Sequence, residues 1–180
     1  MNKEKQEIFL TLLNEVNDNL FMYALALEKS KADAEDLVQE TIISTYENFE
    51  KIRDYSCFKG YIFKVARSKF RQKHRRSWLF GNYVYNSEYK IISDEFKPDL
   101  PLEIESLYSA LNKLPEKQKE AVVLFELSGF SLEEIKEIQG GTLSAVKSRV
   151  KRAREKLAEI IERNENYYVI ENSNLILNQY

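Results

Sequence analysis

Between Leu143 and Leu157 the chain carries Lys147, Ser148, Arg149, Lys151, Arg152, Arg154 and Lys156, with Glu155 the only acid. Cationic and hydroxyl side chains at this density neutralise phosphates and donate to base edges, so the chemistry open to them is nucleic-acid binding. Lys147, Ser148, Lys151 and Arg152 stand one, four and five positions apart, which puts them on one helical face, opposite Val146 and Val150. The inward stripe Leu143, Val146, Val150, Ala153 and Leu157 predicts that helix, and Thr142 is placed to cap it. Upstream, Ser131 and Glu134 have the spacing of a capping box, with Leu132, Ile135 and Ile138 at helical intervals behind it. Gly140-Gly141 separates the two helices, since glycine takes left-handed torsions at little steric cost. Two short helices, a glycine turn and a cationic second helix form a helix-turn-helix able to enter a major groove. The plainer alternative is a basic helix on a solvated surface.

A second cationic stretch lies far upstream. Residues 59–76 hold eight bases and no acid. A helix is predicted from Phe58, with Tyr61, Ile62, Val65, Ala66 and Phe70 inward and Lys59, Lys64, Arg67, Lys69, Arg71 and Lys73 around the rest. Bases interleaved with aromatics suit a nucleic acid, because cations neutralise phosphate while rings stack on unpaired bases. Before it runs the loop Glu50 to Cys57, in which Ser56 is a cap candidate. Phe58 reads as core; Tyr55, in the loop, is open to either role.

The elements that must carry these stretches are helical. Ile8, Phe9, Leu12, Leu13 and Val16 mark a first amphipathic helix, fading toward Leu20 and Phe21. A second is predicted from a cap at Asp33, with Leu37, Val38, Thr41, Ile42, Thr45, Tyr46 and Phe49 inward and Glu35, Asp36, Gln39, Glu40 and Glu47 opposite. Taken alone, such an acidic face is a solvated one. From Ser77 to Leu102 the periodicity fails, and Pro98 and Pro101 punctuate its end. Helices then follow over 102–114 and from Pro115 to Ser128-Gly129, ahead of the helix-turn-helix. The last helix is expected to end near Arg163, leaving a polar-aromatic tail.

With 180 residues, five glycines and three prolines, the fold class is all-α: two small helical domains joined by an irregular linker, the second containing the helix-turn-helix. The expected divisions are 1–76, a linker at 77–102, 103–163, and a tail at 164–180. A formal net charge of −2 hides a strong asymmetry, since residues 1–50 carry eleven acids and four bases. A chain so divided can hold DNA with one part and another partner with its acidic part. Cys57 is the only cysteine, so no intrachain disulfide or cysteine-rich zinc site is expected. No apolar run approaches the ~20 residues of a spanning helix, so a cytoplasmic protein without membrane insertion is expected. His74, the one histidine, sits among bases, and no phosphate-binding glycine loop occurs, so neither an enzyme nor a cofactor is indicated.

Laid end to end, these segments resemble a bacterial RNA polymerase sigma factor of the small extracytoplasmic-function (ECF) class. The resemblance rests on Asp33-Ala34-Glu35-Asp36-Leu37-Val38-Gln39-Glu40, on Phe58-Lys59-Gly60-Tyr61-Ile62 with Val65-Ala66-Arg67, on Leu114-Pro115-Glu116-Lys117-Gln118, on Ser131-Leu132-Glu133-Glu134-Ile135, and on Val146-Lys147-Ser148-Arg149 through Arg152-Ala153-Arg154. They run in the family's order over about residues 7–162. The resemblance implies a protein that binds RNA polymerase core through the clamp helices of its largest subunit and its flap, and that directs promoter-specific initiation. It implies core contacts at Asp36, Leu37, Gln39, Glu40 and Ile43. Minus-ten recognition and melting would fall to Arg53, Asp54, Tyr55, Ser56, Lys59, Tyr61, Lys64, Arg67 and Arg71. Contacts to the duplex minus-thirty-five element would come from Thr142, Lys147, Ser148, Lys151 and Arg152, with Arg149 on phosphate. It also admits an anti-sigma partner. Tyr61 departs from the family's usual tryptophan, and Lys136 from a small alanine beside the turn. The rival is a DNA-binding regulator that never touches polymerase, but a sensing first half has no need of the basic stretch at 59–76.

Overall fold

The computed structural model describes residues 3–28, 30–79 and 102–177, with side chains placed over 3–28, 30–75 and 106–162. Most of the linker, 80–101, therefore lies outside the described residues. Three helices form the first half: α1 (Lys3–Leu27), α2 (Lys31–Glu47) and α3 (Phe58–Leu79). Four form the second: α4 (Leu102–Asn112), α5 (Glu116–Val122), α6 (Leu132–Gln139) and α7 (Leu143–Leu177). No strand occurs among the described residues.

The first half closes around aromatic rings. Phe9 of α1 meets Phe49 edge-on at 5.1 Å and Phe58 at 5.8 Å, and all three are buried. Helix α1 runs further than its fading periodicity predicts. Its last turns, Tyr23 to Leu27, are the most continuously buried part because α1 also packs on the second half. Two cap expectations need correction. Ser30, not Asp33, caps α2; its hydroxyl oxygen accepts from the Asp33 backbone N–H at 3.1 Å. Asp33 sits one turn in, and its carboxylate accepts from the Ser30 hydroxyl and from Lys73 Nζ, both at 2.6 Å. Ser56 likewise yields to Asp54, which caps a 3₁₀ turn (Tyr55–Cys57) leading straight into α3.

The Lys73 and Ser30 hydrogen bonds hold the Asp33 carboxyl below its ordinary range. A depressed carboxyl stabilises the fold above the ordinary value of about 4, and that contribution is lost as pH falls through the depressed one. Asp33→Asn is therefore expected to melt earlier than wild type at pH 7, and the gap should close in thermal melts as pH falls below the ordinary carboxylate range. The shift should be small, because Asp33 is half-exposed.

In the second half, Pro115 opens α5 as predicted, and its end widens into a π turn over Val123–Leu127. Ser128 N–H donates to the Val123 carbonyl at 3.0 Å, five residues back. Gly129 (φ 67°) then reverses the chain and drops Phe130 into the core. The backbone of α7 stays helical to Leu177, past the expected end near Arg163. One buried apolar cluster runs through both halves, from Phe9 and Leu20 through Phe63 to Phe130, Ile135 and Val146.

Candidate nucleic-acid interface

The helix-turn-helix forms as its residues dictate. Ser131 and Glu134 make the full capping box: the hydroxyl oxygen accepts from Glu134 N–H at 3.2 Å, and the Glu134 carboxylate accepts from Ser131 N–H at 2.8 Å. The Ser131 N–H and the Ser131 hydroxyl, which both donate to it, hold the Glu134 carboxyl below its ordinary range. Ser131→Ala should cost about 1 kcal/mol of stability, measured by urea unfolding of the whole chain. Gly140 (φ 75°) and Gly141 (φ 98°) supply the left-handed turn, and Thr142 Oγ1 accepts from Ala145 N–H at 3.2 Å to cap α7.

On α7, Val146, Val150 and Ala153 are buried, while Lys147, Ser148, Lys151 and Arg152 are exposed together on the outward face. Thr142 is exposed beside the turn. Arg149 differs: its Nη1 donates to Gln139 Oε1 at 2.9 Å and lies 3.4 Å from the Gly140 carbonyl, so here it braces the turn. A shallow apolar groove of about 360 Å³ lies beside this face, lined by Phe125, Leu132, Lys147, Val150 and Arg154.

The acidic face of α2 is outward as well. Asp36, Gln39 and Glu40 are exposed, and Ile43, 58% exposed, is an apolar side chain left among them. Leu37 is the exception and is corrected here. It is buried in the bundle beneath the acidic face rather than exposed on it.

The residues expected at the minus-ten element divide into two sets. Arg53, Asp54, Ser56, Lys64 and Arg71 are exposed. Hydrogen bonds from Ser56 hold the Asp54 carboxyl below its ordinary range, leaving it an ionised acceptor at neutral pH. Tyr55 stacks on Phe49 at 5.3 Å, nearly parallel, so one ring face belongs to the core. Tyr61 is half-buried. Lys59, Phe63 and Arg67, four residues apart along α3, turn instead toward the second half. Lys59 Nζ donates to the Ser128 carbonyl at 2.6 Å and lies 4.5 Å from the Phe130 ring. Phe63 meets Phe130 edge-on at 4.8 Å. Arg67 Nε donates to Glu120 Oε1 at 2.6 Å. His74 Nε2 lies 3.3 Å from the buried Glu28 carboxylate.

Glu120 is the residue that sequence reasoning missed. It is buried, and besides Arg67 it accepts from the Tyr23 hydroxyl at 2.9 Å and from Gln139 Nε2 at 2.8 Å. Burial first, then the neighbouring Glu120 charge, pushes the Tyr23 hydroxyl well above its ordinary pKa, so it stays a donor. The available signal was register: Glu120 lies three, four and seven positions before Val123, Leu124 and Leu127, an acid inside an apolar stripe. Among the described residues there is no group of three or more His, Cys, Asp or Glu side chains able to hold a metal ion, and no helix long and apolar enough to cross a membrane.

Comparison with known proteins agrees with this layout. Residues 12–80 match the family described as Sigma-70 region 2, and residues 104–157 match Sigma-70, region 4. The ECF RNA polymerase sigma factor EcfG of Rhodopseudomonas palustris is 33% identical over 143 residues, covering 79% of each chain. The ECF RNA polymerase sigma factor SigM of Bacillus subtilis is 29% identical over 164 residues, covering 89% of this chain and 96% of its own. Among solved structures, the sigma factor RpoE of Bartonella quintana, crystallised with the anti-sigma factor NepR, matches with a TM-score of 0.69 at 27% identity, covering 89% of this chain and 98% of that one. With both halves matched in order, the chain belongs to the ECF class of RNA polymerase sigma factors, whose role is to direct transcription initiation.

Proposed function

We propose that this sigma factor docks on polymerase core through Asp36, Gln39, Glu40 and Ile43 of α2, with the clamp helices of the largest subunit as its partner. It reads the duplex minus-thirty-five element with Lys147, Ser148, Lys151 and Arg152 of α7. It captures the melted minus-ten strand with the 53–61 segment and the cations of α3. Residues 1–76 and 103–163 are the two working domains, joined through 77–102, and the protein acts in the cytoplasm. The observation that carries this reading is the outward grouping of four polar and cationic residues over a fully buried Val146. Bidentate pairs from such a face discriminate bases by about 1–3 kcal/mol each. Minus-ten melting is then selective binding: a strand captured on cations and rings offsets a few kcal/mol of lost stacking and pairing, and no bond is broken. An anti-sigma partner is proposed by analogy with the Bartonella quintana complex. The test is core polymerase binding with run-off transcription on a genomic promoter library. Core association with promoter-specific starts supports the reading. A chain that binds promoter duplex yet never associates with core would be a stand-alone regulator instead.

A further inference from the structure

The turn of the helix-turn-helix is held by a side chain whose two ends are fixed by different chemistry. Gln139 closes α6, is 8% exposed, and stands directly before Gly140-Gly141. Its Nε2 donates to the Lys117 carbonyl at 3.2 Å and to Glu120 Oε2 at 2.8 Å. A main-chain carbonyl and a carboxylate only accept, so the amide has one satisfied orientation and its oxygen must point away from both. That oxygen, Oε1, accepts from Arg149 Nη1 at 2.9 Å. A guanidinium only donates, so a flipped amide would set like groups against each other at all three contacts. The same guanidinium lies 3.4 Å from the Gly140 carbonyl, and a Cβ built on Gly141 would stand 3.4 Å from its Nη2. Arg149 is thus half-buried against the turn, while Lys147, Ser148, Lys151 and Arg152 around it are exposed.

We propose that Gln139 is a specificity-determining positioning residue: fixed in one orientation by Lys117 and Glu120, it keeps Arg149 off the DNA backbone and uses that cation to hold the turn. The inference rests on the minus-thirty-five reading proposed above, and it parts from the resemblance, which puts Arg149 on phosphate. A phosphate contact strengthens binding to every sequence alike, because it releases a counterion without touching a base edge. Specificity is the ratio of selected to unselected binding, so a cation withheld from phosphate lowers the background against which base contacts count. Arg149 follows Lys147 and Ser148 directly in the chain, and once freed from Gln139 it adds one more cation at the edge of the reading face. The amide carries no charge of its own, yet it sets how many charges the reader presents. It also fixes how α7 leaves α6, since Gly140 and Gly141 have no side chains with which to do so.

The test is the salt dependence of duplex binding by the full chain, on a random-sequence duplex and on the duplex that the chain itself enriches from a random library. Each neutralised phosphate adds about 0.9 to the slope of log K against log salt, or about 3.5-fold between about 0.05 and 0.2 M. Arg149→Ala should weaken binding by one constant factor and leave the slope unchanged. Gln139→Met should steepen the slope by that one step and cut the ratio of enriched to random binding severalfold. Adding Arg149→Ala to Gln139→Met should return the slope to its wild-type value. Exchanging the pair, Gln139→Glu with Glu120→Gln, keeps an acceptor for Arg149 and should keep the wild-type slope. Lys147→Gln checks the reading itself, since it removes a cation of the exposed face and should flatten the slope by one step. The proposal is overturned if Arg149→Ala flattens the slope as Lys147→Gln does. It is equally overturned if folded Gln139→Met keeps both the wild-type slope and the wild-type ratio. Circular dichroism confirms the helices of each variant; if Gln139→Met does not fold, the slope of Arg149→Ala decides alone. If Lys147→Gln changes nothing, or the chain binds no duplex, the minus-thirty-five reading fails instead. Nuclear magnetic resonance of the Arg149 guanidinium in the free chain then decides: hindered rotation in wild type and fast rotation in Gln139→Met uphold the positioning, and equal rotation in both overturns it.

Discussion

Asp36→Arg should weaken association with core polymerase by about a hundredfold while leaving the fold intact. Asp36 is exposed on α2, so the substitution removes no core contact. What changes is the field. Glu35, Asp36, Gln39 and Glu40 form an acidic outward face, and the docking proposed for it would set a cation placed there against the basic groups that complement such a face. Juxtaposed like charges cost several kcal/mol, and a hundredfold corresponds to about 2.7 kcal/mol. Asp36→Asn should lose far less and mainly slow association, the signature of a charge that steers. Native gel or fluorescence titration against core reads both. Unchanged core binding by Asp36→Arg would move the docking surface off α2.

Arg152→Ala should keep core binding and lose selection of the upstream element. Arg152 is exposed on the outward face of α7 and shares it with Lys147, Ser148 and Lys151. Loss of one bidentate base contact corresponds to about 1–3 kcal/mol, or roughly five- to 150-fold in discrimination. In run-off transcription on the promoter library, starts should persist while the upstream consensus flattens at one or two positions. Arg149→Ala should behave differently. Because Arg149 holds Gln139 and the Gly140 carbonyl, its removal loosens the turn, and activity should fall across all promoters alike.

The helix-turn-helix was legible in the sequence because its signals are local: a capping box, two glycines, and a stripe at 3.6-residue spacing all act within a turn or two. The same locality explains the errors. Asp33 and Ser30 are both competent caps, and the Asp33 carboxylate is taken up instead by the Ser30 hydroxyl and by Lys73, forty residues away. The family resemblance implies a core contact at Leu37, yet its own place in the apolar stripe puts the side chain on the buried face. The length of α1 beyond Phe21 was invisible because Tyr23 to Leu27 are buried on more than one side, which removes the polar half of the pattern. Glu120 is the extreme case. Its partners Tyr23 and Arg67 lie 97 and 53 residues away, and nothing in the residues flanking an acid announces such a cage.

The apolar cluster shared by the two halves has a consequence for how the protein survives between rounds of use. A unit the size of residues 103–163 buries only about 60% of the surface its unfolded chain exposes, less than a larger domain does, and is marginal on its own. Joined to the first half through Tyr23, Phe63 and Phe130, it becomes part of one cooperative structure, and local opening of α5 or α6 must disturb both halves together. The joined chain should therefore resist proteases that cut transiently opened segments better than residues 103–163 would alone.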